Sequence, residues 1–583
     1  MVEKQSTAKG FTILGAAGII NKVLAVLYVP ILTLLIGDTG NGIYNAGYNI
    51  YLLVFVITNM GIPVAISKLV SEQVALGNYE DSHRTLKISA FMMVIIGLVM
   101  TVLTAVFADW LSHQVGRPEA YLTILALSPT MFFTAVSSTF RGYFQGRSNM
   151  TPTGMSQVIE QLINSVFTIL FAWMMLQYGL HYAASHGIVD GEMVQLTSLK
   201  FAAAGATVGT SVGALGSALY LVIVYLRNKR SILWEIGEEK KRKKGSRREY
   251  RVAGREIALQ IVRYALPITM GSAAVYTANL IDLKFTNERL MAAGFSSLEA
   301  ASLYGILTTQ YQKIINIPLS LASALSAAII PGISAAAAKG DRELLGERIN
   351  NSFRAIFMIT VPAAVGLAVL ARPIIAFLFP RNIHGDDLMM IGSGVLILIA
   401  VVNIQTAILQ GMGKTHIPTL HMVGALAVKI IVNYILIGIP AINVKGAVFG
   451  SLACYSLACG LNALKIRRLT RISINYRRVF NRPLLSSFLM GAAVLPVYQV
   501  LSRLLALFVP SYMIVNGVAV ILSVILGGFL YFMLMYRFRG ITYEDLTRLP
   551  GFGRAKALAA KIAPGRWFLR YIDAPIPYNE KDD

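Results

Sequence analysis

Residues 11–36 read FTILGAAGIINKVLAVLYVPILTLLI, an uncharged run broken by one lysine, Lys22. A helix rises 1.5 Å per residue, so about 20 such residues cross a bilayer core of about 30 Å. A spanning strand would need only about 10 residues and would alternate apolar with polar. This run is longer and does not alternate, so it reads as a membrane helix whose backbone groups bond to one another. It is also too long for the apolar core of a cleavable leader.

The same pattern returns along the chain, in runs such as 43–70, 86–107, 264–286, 303–333, 417–437 and 512–536. Fourteen spans are expected in all. Composition agrees: 55% of the 583 residues are hydrophobic and 14% are charged, and mean hydropathy is +0.62. Soluble domains carry about 25% charged residues, so a soluble enzyme is excluded. Cys454 and Cys459 lie five apart in one apolar run, which fits small core residues rather than a disulfide framework or metal site.

The formal charge of +23 has an address. Thirteen basic residues fall between Arg227 and Arg263, seven between Lys465 and Arg482, and nine after Tyr536. The loops at 37–42 and 178–199 carry no Lys or Arg. Basic loops stay in the cytoplasm, so both termini are expected inside, which requires an even number of spans. The charge is a topology signal and an attraction to anionic lipid heads. No nucleic-acid partner is expected.

One half of the chain resembles the other. Tyr44 and Tyr51 match Tyr304 and Tyr311 at a shift of 260. Ser71 and Gly77 match Ser334 and Gly340 at 263, Gln145–Gly146 match Gln410–Gly411 at 265, and Pro152–Thr153 match Pro418–Thr419 at 266. Six helices per half make the repeats parallel, an architecture of secondary transporters. The expected fold is therefore an all-α integral membrane protein of 14 transmembrane helices. An N-lobe covers 1–228, a basic cytoplasmic linker 229–262 and a C-lobe 263–468. A further helix pair at 484–536 has no counterpart in the repeat, and a cytoplasmic tail covers 537–583.

Ionisable groups inside spans are expensive, at roughly 2.5–3.5 kcal/mol on insertion scales, and mark functional sites or ion pairs. Lys22, Lys313 and Lys429 lie near the middles of their spans. Asp282 and Glu160 lie deep enough to be their ion-pair or coupling partners, and Glu72 is a further candidate for that role. Lys68 and Glu72 mark one end of the second span and Arg141 one end of the fourth, where long side chains also anchor at the interface. The cationic excess suits an anionic substrate such as a diphosphate, with Lys22, Lys313, Lys68, Arg141 and Lys429 as candidate binding residues. The seven histidines are scattered, and no metal motif, P-loop or nucleophile elbow is present, so ATPase and hydrolase chemistry find no support. No cofactor is expected; a coupling ion, Na+ or H+, is left open.

Several motifs carry a resemblance: GIINKVLAVLY at 18–28, GIPVAISKLVSE at 61–72, RGYFQG at 141–146, TPT at 151–153 and IEQ at 159–161. They resemble the stage V sporulation protein B group of polysaccharide-biosynthesis membrane proteins. That group belongs to the multidrug/oligosaccharidyl-lipid/polysaccharide exporter superfamily, with the MurJ-type lipid II flippases. The resemblance implies two six-helix lobes, a lipid-tail groove at the last two helices, and flipping of an undecaprenyl-diphosphate-linked saccharide across the bacterial cytoplasmic membrane. It gives Lys22 and Lys313 a substrate-binding role. Those flippases also carry a basic residue in the middle of the second helix. Here residues 52–57 read LLVFVI, and Lys68 lies about three turns deeper. Expected partners are the lipid-linked saccharide and membrane lipids, with cell-wall synthases as candidates. The alternatives are export of a spore or capsule unit, cation-coupled drug export, or a non-transporting scaffold for cell-wall synthases.

Overall fold

A computed structural model describes residues 7–242, 253–472, 477–538 and 540. The tail expected to hold Trp567 and Arg570 lies outside the described residues, as does the middle of the basic linker. The regular structure of the described residues is all helical, with no strand among them. In chain order the helices are α1 (Thr7–Asn59), α2 (Gly61–Ala75), α3 (Tyr79–Val106), α4 (Ala108–Gln114), α5 (Tyr121–Gly146), α6 (Thr151–Ser185), α7 (Gly191–Arg242), α8 (Gly254–Ala292) and α9 (Ser297–Gly305). A π-helical segment, Ile306–Gln312, leads into α10 (Lys313–Lys339). Then follow α11 (Arg342–Val369), α12 (Ala371–Leu378), α13 (Asp386–Gly411), α14 (His416–Ile437), α15 (Lys445–Thr470), α16 (Arg482–Ala506) and α17 (Tyr512–Arg537). Among the described residues, eleven helical runs are long and apolar enough to cross a membrane.

The chain forms two compact units. The first comprises residues up to Ile314 together with Arg381–Leu388 and Leu426–Cys454. The second comprises Ile315–Pro380, Met389–Ala425 and the chain from Tyr455.

In the first unit the expected loop at 37–42 is helical. Only Gly37 departs, at φ 65° and ψ −174°, so the first expected span and the part of the second up to Asn59 lie within α1, and the rest of the second lies in α2. Glycine alone reaches that conformation without a Cβ clash. The basic stretch after Arg227 is also helical up to Arg242. Its apolar side explains why: Ile232 and Ile236, one turn apart, pack into a core with Leu86, Met93, Tyr143 and Leu221. Most of the expected loop at 178–199 is helical as well, since α6 runs to Ser185 and α7 starts at Gly191. α6 and α7 lie close because α7 places Gly205, Gly209 and Gly213 against Phe171, Thr168 and the Glu160 carbonyl. Without a hydrophobic drive in lipid, such small-residue seams hold helices together by packing.

In the second unit, α16 and α17 meet where Gly527 sits against Val494 and Met490. Tyr531 anchors the pair by donating to the Met358 carbonyl at 3.0 Å.

The repeat is visible in the packing. A Cβ on Gly146 would meet the Ser67 carbonyl and Val70; one on Gly411 would meet the Ile330 carbonyl and Ile333. The partners differ by 263 in both cases, and each contact lies within its own unit. Gly77 and Gly340 both follow a helix end with positive φ, 75° and 67°, as left-handed helix caps do. At the crossing of α1 and α9 the relation is reciprocal. Gly42 lies on the Ala301 carbonyl and Gly305 on the Asp38 carbonyl, again a shift of 263. In that register Tyr48 is the counterpart of Tyr311, so the tyrosine match at 260 is about one turn out.

Candidate functional site

All of the residues in this and the next paragraph belong to the first unit. After Gly37, α1 turns a polar stripe inward: Asp38, Asn41 and Asn45 are buried and Asn49 half-buried, at three- and four-residue spacing. Such spacing puts them on one helix face. Asn45 donates Nδ2 to the hydroxyls of Thr308 and Thr309, at 2.9 and 2.8 Å. Asn49 donates to the Tyr304 hydroxyl at 2.8 Å. The Asp38 carboxylate, 5% exposed, accepts from Gln310 at 2.8 Å and from Asn382 at 3.2 Å, and His384 Nδ1 lies 3.2 Å away. Gln310 in turn accepts from the Gly385 backbone N–H at 2.9 Å. The loop-like composition of residues 37–42 hides this network in the sequence. Arg117 is hidden there as well; it is 1% exposed and donates to the Ser297 carbonyl at 2.8 Å. Burial pushes that loop guanidinium down to about 10.

The threonines and Gln310 belong to the π segment, which delivers Lys313 at its end. π-Segments inside helices occur mostly at functional sites. The Lys313 Nζ is buried and has no hydrogen-bond partner. It faces the Tyr44 ring at 5.5 Å from the centroid. Tyr44, Tyr48, Tyr51 and Phe55 continue from there as a ladder of rings 5.3–5.8 Å apart.

The other candidate charges have partners. Lys429 of α14 is ion-paired with Asp282 of α8, and Asn433, one turn on, donates to the second carboxylate oxygen at 2.9 Å. A cleft opens beside them, lined by Asn49, Asn279, Tyr304, Tyr311, Gln312 and Ser451. Arg141 is paired with Glu160 at 2.6 Å and also donates to Ser156 and Ser217 at 3.0 and 2.9 Å. Glu160 is thus taken by an arginine rather than by one of the mid-span lysines. Lys68 reaches Glu72 at 3.9 Å and lies 3.8 Å over the Tyr264 ring, largely exposed. Lys22 is an exposed side chain of α1.

The Arg141–Glu160 pair is 13% and 28% exposed at its two side chains. Removing one partner of a buried pair costs about 3–5 kcal/mol, because the other charge is left uncompensated. Glu160→Ala is expected to fall at the low end of that range, since two serines still hold Arg141. The double change Arg141→Leu/Glu160→Leu is expected to cost less than Glu160→Ala alone. Unfolding of the detergent-solubilised variants measures this; an unchanged melting temperature in Glu160→Ala would remove the pair from the fold's supports.

The chain and its fold are similar to known proteins. Residues 7–337 match the family model described as polysaccharide biosynthesis protein. The lipid II flippase MurJ of Bacillus subtilis (strain 168) is 27% identical over 570 residues, covering 94% of this chain and 98% of the relative. Stage V sporulation protein B of the same organism is 25% identical over 565 residues, covering 94% and 99%. Among solved structures, a lipid II flippase MurJ in an inward closed conformation has a TM-score of 0.60 at 15% identity, covering 92% of this chain and all of that one. An inward-facing multidrug resistance MATE transporter also has a TM-score of 0.60 at 15% identity, covering 78% of this chain and 96% of that one. With eleven apolar helical runs among the described residues, this is a multi-pass protein of the bacterial cytoplasmic membrane. The chain belongs to the polysaccharide biosynthesis protein family.

Proposed function

We propose that the protein is a flippase that carries an undecaprenyl-diphosphate-linked saccharide, of the lipid II type, across the cytoplasmic membrane by alternating access. The observation that carries the reading is Lys313. An ammonium buried in a membrane protein without a hydrogen-bond partner is costly and is retained for function. A diphosphate would supply the missing partner, and charge-assisted bonds of this kind are roughly twice as strong as neutral ones. The relatives named above over 94% of the chain support the same substrate class. Fourteen crossings, both termini in the cytoplasm, lobes at 1–228 and 263–468 and a lipid-tail groove at 484–536 belong to this reading. In it Lys22, Lys68 and Arg141 assist as the anion enters.

Complementation of a bacterium depleted of its lipid II flippase tests the reading together with a reconstituted assay. Vesicles holding the protein are loaded with lipid-linked saccharide, and its appearance in the opposite leaflet is followed. Growth rescue with translocation supports the lipid II assignment. Translocation without rescue points to a spore or capsule unit, the reading favoured by the sporulation relative. Neither result in a folded, membrane-inserted protein ends the flippase proposal.

A further inference from the structure

A carboxylate within a membrane protein must be neutralised by a proton, a metal ion or a basic side chain. At Asp282 the structure shows the third solution in surroundings built like the second. One carboxylate oxygen is held by the Lys429 ammonium and the other by the Asn433 amide. The Asp282 and Lys429 side chains are only 21% and 13% exposed. The groups around them are oxygen donors. Asn433 is 1% exposed, and its own carbonyl oxygen is buried with no hydrogen-bond partner. Gly450 of α15 lies directly on that oxygen, where any Cβ would overlap it. The next residue, Ser451, lines the cleft and gives its hydroxyl proton to the Ala447 carbonyl at 2.9 Å, so its lone pairs remain for a cation. Asn279, Asn49 and Tyr304 add further oxygens to the same wall.

Carboxylate, amide carbonyl and hydroxyl oxygens are hard donors, suited to hard cations. An ammonium and a sodium ion carry the same charge, and two such charges in one desolvated cleft repel each other. We propose that Asp282, Asn433 and Ser451 form a monovalent-cation site whose cation is the chain's own tethered Lys429 ammonium. The site is permanently filled, sodium is excluded from it, and removing the ammonium opens it to sodium. For transport, resting on the flippase reading, the cycle then runs without a sodium gradient. The binding test does not depend on that reading.

The experiment compares thermal unfolding of the purified full-length protein in sodium chloride and in choline chloride at equal ionic strength. A ligand that binds the folded state raises the melting temperature with its concentration. The natural protein is expected to melt at the same temperature in both salts. Lys429→Ala is expected to melt lower in choline and to recover progressively as sodium replaces it. Lys429→Ala/Asp282→Asn is expected to lose that recovery. Lys429→Gln, which keeps the volume and a hydrogen-bonding group, serves if the alanine variant does not fold. A sodium-specific shift in the natural protein that Asp282→Asn abolishes would overturn the proposal. So would a folded Lys429 variant indifferent to sodium. In the reconstituted assay, translocation that needs a sodium gradient overturns the consequence for transport, while absence of translocation bears on the flippase reading alone.

Discussion

Lys313→Met is expected to raise the melting temperature while lowering translocation about 10- to 100-fold. The two effects share one cause. The Nζ is buried with no hydrogen-bond partner, and it faces the Tyr44 ring, centred 5.5 Å away. A cation over a ring face gains about 0.5–2 kcal/mol, less than the several kcal/mol needed to desolvate an ion. Methionine keeps the unbranched length and removes the charge, and replacing buried charges by apolar groups is often neutral or stabilising by about 1–4 kcal/mol. In transport the loss runs the other way. A hydrogen bond to a charged group is worth about 1.5–3 kcal/mol, and each 1.4 kcal/mol is tenfold. Lys313→Arg is expected to retain part of the activity, since its planar fork also binds phosphate but does not reproduce the compact ammonium. Unfolding curves and initial translocation rates on the same preparations check both halves. A less stable methionine variant, or one that translocates at the natural rate, would show that Lys313 is not held in reserve for an anion.

What the sequence disclosed follows from what membranes penalise. Charges within spans stand out against an apolar background, so Lys313, Lys429, Asp282 and Glu160 were visible as candidates. Their pairing was not. Arg141 and Glu160 lie 19 residues apart on different helices, and only the packing of α5 on α6 brings them together. Asp38 was hidden for a different reason. The segment GDTGNG at 37–42 has loop composition, yet a single left-handed glycine lets the helix resume at once. A signal was available in the stripe Asp38, Asn41, Asn45 and Asn49, whose spacing is helical. The basic stretch after Arg227 misled in the same way, because lysine density masked Ile232 and Ile236 one turn apart. The repeat was legible at glycines, where a close approach admits one residue type. It slipped by a turn at the tyrosines, which recur at Tyr44, Tyr48 and Tyr51 and so offer several registers.

That contrast gives the second large effect, at the crossing of α1 and α9. Gly42→Ala would drive a Cβ into the Ala301 carbonyl, and Gly305→Ala would drive one into the Asp38 carbonyl. The obstacle is backbone in both cases, so no side chain can rotate aside. Overpacking typically costs about 1–3 kcal/mol, and rigid neighbours put these two at the upper end. Parting the helices would also strain the bonds from Asn45 to Thr308 and Thr309 and from Gln310 to Asp38. Because the contacts are reciprocal, one alanine opens the crossing for both. The double variant is therefore expected to be little worse than the poorer single variant, a coupling of the size seen for residues sharing one packing defect. Gly18→Ala supplies the control: it lies on α1 with nothing within 4 Å of the added Cβ, and a helix prefers alanine to glycine by about 1 kcal/mol. It is expected to leave the melting temperature unchanged or raise it. Melting temperatures of the four variants decide the matter. Additive losses at Gly42 and Gly305 would mean that the two glycines serve separate contacts, and the local twofold relation between the halves would not be a mechanical unit.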